Sequence, residues 1–87
     1  MISFQQRQGE IHERFNQMFC DRITDTGMAE VISIMLAIAE RSSMNAEADA
    51  SRKFKQCVAM MMHFFNLNET DLEAFFIRIQ LNGRPLN

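Results

Sequence analysis

Three glycines and one proline are all the turn-making chemistry in this chain of 87 residues. A sandwich or barrel of short strands needs a turn signal about every 8 to 12 residues, so this scarcity selects a few long elements, and long elements are helices. The length suits one domain and not two, since domains run from about 50 to 250 residues. The expectation is one helical domain over 1–87, with 1–8 and 84–87 as tails. A domain this small buries only about 60 to 65 % of its unfolded surface, which leaves association as a further source of burial.

The turn signals that do occur are Thr24-Asp25-Thr26-Gly27, the small-polar stretch 41–45, and Asn66-Leu67-Asn68. They divide the chain into helices at about 9–24, 27–42, 46–67 and 69–82. In the first, Ile11, Phe15, Met18, Phe19 and Ile23 recur at the spacing of one apolar face, and Gly9, worth about 1 kcal/mol less than Ala inside a helix, sets the start. The second starts behind Asp25 or Thr26 as N-cap. Its Met28, Val31, Ile32, Ile34, Met35, Leu36 and Ile38 cover about 200° of the circumference, leaving Glu30, Ser33, Ala37 and Glu40 as a narrow remainder.

The third helix is apolar over a similar arc through Phe54, Cys57, Val58, Met60, Met61, Met62, Phe64 and Phe65, while its first turns, Ala46 to Arg52, are polar with alanine spacers and face water. The fourth opens on Thr70-Asp71-Leu72-Glu73, the pattern of a capping box, with Asn68 as a competing N-cap. Leu72, Phe75, Phe76 and Ile79 form its inward stripe, and Gly83 and Pro85 stop it. The fold class is therefore all-α, a compact four-helix domain with the second and third helices central.

Several functions are excluded by what is missing. A net charge of -2 gives no electrostatic basis for binding phosphate, so nucleic acid is not an expected partner. Residues Met1 to Arg7 lack a secretory signal, and the apolar tract Met28 to Ala39 is shorter than the 18 or more residues of a membrane span. With Cys20 and Cys57 as two isolated thiols, the setting is read as a reducing cytoplasm. Cys57 and His63, six residues apart, point about 120° away from each other on one helix, so no thiol–imidazole pair forms there. His12-Glu13 is followed by Asn16 where a zinc-binding helix would place its second histidine, and no C-x-x-C occurs. No catalytic, metal or cofactor residue is assigned, no small-molecule substrate is evident, and the chain reads as a non-enzyme. Glu69, Asp71 and Glu73, with Arg78 and Arg84 at the far end, follow the charge order that a helix dipole favours.

The positive signal is soft apolar surface: eight Met and eight Phe with no Trp and no Tyr. Methionine fills irregular gaps and is over-used at adaptable binding surfaces, so these residues divide between core and interface. Two helices with about 200° of apolar arc exceed what two single-striped neighbours cover. The candidate interface is Ile34, Met35, Ile38, Met60 and Phe64, with a homodimer as its simplest form. Arg41, Arg52, Lys53 and Lys55 form a candidate basic patch. The function these features imply is a small interaction module that occupies a partner protein's surface as adaptor, subunit or inhibitor. In size and style the chain is similar to many phage- and plasmid-encoded products, anti-CRISPR-type inhibitors among them.

A second reading comes from Met61 to Gly83, which resembles a helix-turn-helix in outline, with Phe65, the turn Asn66-Leu67-Asn68, and Leu72 and Phe75 at core positions. That resemblance implies a DNA-binding regulator. Met62 stands where the family places a small residue, and the would-be reading helix offers Glu69, Asp71 and Glu73 to a negatively charged groove.

Overall fold

Residues 3–80 are described by the computed structural model, and four helices carry them: α1 (Phe4–Phe19), α2 (Thr26–Met44), α3 (Ala50–Phe65) and α4 (Glu69–Arg78). No strand occurs among the described residues. The domain is all-α, as its turn chemistry requires. α2 is the centre of the packing, with α3 on one side and α1 on the other, while α4 rests on α1.

The boundaries differ from the expected ones for local reasons. α1 begins at Phe4 and not at Gly9, because Ser3 is its N-cap and accepts the Gln6 N–H at 3.1 Å. Gly9 sits inside the helix, exposed, with nothing within 4 Å of where a Cβ would stand. α1 ends at Phe19 rather than 24, where the N–H groups of Arg22 and Ile23 close on the Phe19 carbonyl and the chain straightens to reach Asp25. Asp25 then caps α2 by accepting the Met28 N–H at 3.1 Å.

α2 runs on to Met44 and ends in paired bonds: the Glu47 N–H to the Ser42 carbonyl at 2.9 Å and the Ala46 N–H to the Ser43 carbonyl at 3.0 Å. This is a Schellman motif, which requires a left-handed residue at its apex. Ala46 takes that conformation, with φ 58°, so the helix expected from 46 starts only at Ala50. A left-handed backbone disfavours any residue with a Cβ by about 1 to 2 kcal/mol. Gly9→Ala and Ala46→Gly are therefore expected to raise folding stability by about 1 kcal/mol each, for opposite reasons. Chemical denaturation of the two variants checks this, and a lowered midpoint in either refutes the local assignment.

The box that opens α4 is built on Asn68 and not on Thr70. Asn68 accepts the Asp71 N–H at 2.8 Å and Asp71 accepts the Asn68 N–H at 3.1 Å. That register puts Leu67 just before the cap and Leu72 four positions into the helix, both buried, which is the arrangement of a hydrophobic staple. α4 ends at Arg78. Positions 81–82, the stop at Gly83 and Pro85, Arg84, and the tail 84–87 lie outside the described residues.

The core is a cluster of aromatic and aliphatic side chains drawn from every helix. Phe15 is its hub, with ring centroids 5.7 Å from Phe19, 5.6 Å from Phe65 and 5.3 Å from Phe75. Around it Ile11, Ile32, Leu36, Cys57 and Met61 are fully buried.

The α1–α2 contact corrects the sequence reading. Ser33 and Ala37, taken as part of the remainder strip, are buried together with Ala29, one helical turn apart in a line that faces α1. Short side chains let two helices approach closely, and size rather than polarity decides this face. The Ser33 hydroxyl is satisfied there: it donates to the Glu30 carbonyl at 2.7 Å and accepts from Gln8 Nε2 at 2.9 Å. Arg7 fastens the same side, donating from Nε to Glu40 at 2.7 Å and from its terminal nitrogen to the Ile79 carbonyl at 2.7 Å. At the other end Arg22 grips Asp71 at 2.6 and 3.3 Å, and with the Asn68 N–H it holds the Asp71 carboxyl below the usual carboxylate range.

Candidate interaction surface

Because the small-residue line of α2 turns inward, large apolar residues are left outside. At about 100° per residue, Val31, Ile34 and Ile38 share one line down the helix, continued upward by Gly27. Val31 is 45 % exposed, Ile38 40 %, and Ile34 half-buried. α1 and α3 flank this line on either side without covering it.

The line continues onto α3. Lys53 Nζ donates to Ser42 Oγ at 3.1 Å, which fixes which edges of α2 and α3 meet and at what height. The two helices form a hairpin joined by a short connection and run antiparallel. One residue back along α2 for each residue forward along α3 brings Met35 level with Met60 and Val31 level with Phe64. Met35 and Met60 lie half-buried against the core, and Phe64 is 47 % exposed.

All five expected interface residues, Ile34, Met35, Ile38, Met60 and Phe64, thus lie along one α2–α3 seam. Val31 belongs to it as well. Its position on the helix wheel, between Ile38 and Met35, was the signal for it. Met44, Met62 and Ile77 are also exposed, but Met62 lies on a different side of α3, and Ile77 sits on α4.

The four basic residues do not form one patch. Lys53 is enclosed by Glu47 at 3.3 Å and Asp49 at 3.4 Å, and Glu47 above all holds its pKa above the ordinary lysine value. Arg52 reaches Asp49 at 3.5 Å, and Lys55 projects from another side of α3. Arg41 lies toward α1, its guanidinium 5.3 Å from the Phe4 ring centroid. Neighbours in sequence on a helix point in different directions, so the run 52–55 disperses.

The thiols and imidazoles are also apart. Cys57 is fully buried and its thiol is pushed up to about 12 by that burial, while Cys20 is exposed on the turn after α1. His63 stands exposed beside the Phe64 ring, and His12 Nε2 is buried without a hydrogen-bond partner. Among the described residues, no three His, Cys, Asp or Glu side chains gather as a metal-ion site, and no helix is long and apolar enough to cross a membrane.

Two grooves border α1. One of about 290 Å³ between α1 and the end of α4 mixes both charges, Arg7, Arg14 and Arg78 with Glu10 and Glu13. The other, of about 750 Å³, lies where Phe4, Ala37, Arg41 and Met44 meet. Neither has the buried convergent polar groups of a small-molecule site.

Comparison with protein-family models, curated proteins and solved structures gives no match. The functional reading rests on the surface of the domain.

Proposed function

We propose that the protein is a non-enzymatic interaction module that occupies a partner protein's surface with the outward line of α2 and the adjoining edge of α3. The observation that carries this reading is the exposure of Val31 and Ile38, with half-buried Ile34 on the same line, on the helix that is otherwise the centre of the core. Fully burying a side chain of this size contributes about 1.5 to 3 kcal/mol, so covering the line is a substantial gain for a small domain. The geometry favours this over reading DNA with α4, whose exposed residues include Glu69 and Glu73 against one Arg78.

A photo-crosslinking residue in place of Ile38 tests it, with the same residue in place of Glu73 on α4 as the control. The expected result is a discrete protein adduct from position 38 only, lost when Val31→Asp is added. No adduct at 38, or equal adducts at 38 and 73, overturns the proposal.

A further inference from the structure

Resting on that reading, we infer that the occupant of this face is a second copy of the chain, docked with its α2 antiparallel so that Glu30 of each copy meets Arg41 of the other. The argument is one of self-complementarity, which is what a two-fold contact between identical surfaces demands. Glu30 and Arg41 are 11 residues apart, roughly 16 Å along the helix, and differ by only about 20° around it. Both therefore stand on the same edge of the apolar line, the edge toward α1, one near each end. Neither is held in an ion pair among the described residues, whereas Arg7, Arg22, Arg52 and Lys53 are.

A two-fold axis perpendicular to α2, level with the midpoint of Met35 and Leu36, reverses the helix and sets each edge against its own counterpart. On the α1 edge, Glu30 then arrives opposite Arg41, and the pair is made twice. On the α3 edge, Met35 and Met60, which lie level with the axis, meet the same two residues of the second copy. Between them, Ile34 and Ile38 interleave as do core positions of an antiparallel helix pair. A parallel arrangement sets the α1 edge against the α3 edge at equal height, which places Glu30 near Phe64 and Arg41 near Lys53 and leaves Glu30 without an opposite charge. The surface is complementary to itself in one orientation only.

The test is the mass of the full chain in solution, by light scattering and sedimentation, with circular dichroism as a check on folding. The expected species is twice the 10.1 kDa chain mass at micromolar concentration. Glu30→Arg and Arg41→Glu are each expected to weaken the dimer about tenfold or more, since each change sets like charges together twice, and the double variant is expected to recover it to within a few-fold. A wild-type monomer at about 100 µM overturns self-docking, and a double variant no better than the singles overturns the antiparallel pairing. A monomer whose position 38 still crosslinks to a different protein sinks self-docking alone. A monomer with no adduct sinks the interaction reading too.

Discussion

Phe15→Ala is expected to remove about 3 to 5 kcal/mol of folding stability. Its ring is fully buried and lies edge-on or tilted against Phe19, Phe65 and Phe75, so truncation empties a space bounded by α1, α3 and α4 together. Those walls are held by separate helices that cannot all collapse inward, which places the variant toward the upper end of the range. Against a total of about 5 to 15 kcal/mol for a domain, the loss leaves a protein partly unfolded at room temperature or shifted by more than about 1 M in its urea midpoint. Phe64→Ala is the comparison, because its ring is nearly half in water and its loss is expected to stay under about 1.5 kcal/mol. Equal losses from the two variants refute the packing.

The two cysteines are expected to separate by orders of magnitude in reactivity. Cys20 is exposed, while Cys57 is buried between α3 and the core with its thiol raised to about 12. From an ordinary value of 9.0, that shift alone lowers the reactive thiolate at neutral pH roughly a thousandfold, before any shielding of the sulfur. Mass spectrometry after iodoacetamide treatment at pH 8 is expected to show one adduct per folded chain, on Cys20, and two once the chain is denatured. Labelling of Cys57 at the rate of Cys20 under native conditions refutes the burial. In dilute urea, the Cys57 rate becomes a direct readout of how often α3 leaves the core.

What the sequence carried plainly was helix number, order and the inward residues of α1 and α4. Ile11, Phe15 and Phe19, and Leu72, Phe75, Phe76 and Ile79, form single stripes, and a helix with one stripe has one way to face the core. α2 was harder, since a helix apolar over most of its circumference does not announce which arc is covered. Hydrophobicity pointed Ser33 and Ala37 outward, yet close approach to α1 selected them, and Gln8 supplied the hydrogen bond that makes a buried serine tolerable. The consequence reaches the candidate surface: once the small residues are inside, Val31 and Ile38 have nowhere to go but out.

Ala46 gave no warning of its left-handed backbone, since alanine is the strongest helix former and only the closing bonds to Ser42 and Ser43 impose it. Asn68 and Thr70 were both eligible caps, and the burial of Leu67 goes with the first. The basic residues are close in sequence, but Arg52 and Lys53 turn to Asp49, Lys55 leaves from another side of α3 and Arg41 lies over Phe4.

The clamp that Arg7 forms between Glu40 and the Ile79 carbonyl has a kinetic side. α4 joins the fold chiefly through α1, and its two ends are fastened by Arg22, in the turn after α1, to Asp71 and by Arg7 to the carbonyl of the cap residue Ile79, pairs separated by 49 and 72 positions of chain. Helical domains usually fold fast because their contacts are local, but this one is completed by closing a long loop. Until that closure, α2 and α3 can pair as a hairpin while the Phe15 face of α1 stands open for want of Phe75. Closing that loop, more than the growth of any helix, is therefore expected to set the pace of assembly, and stopped-flow refolding of Arg7→Ala is expected to be slower than that of the wild type.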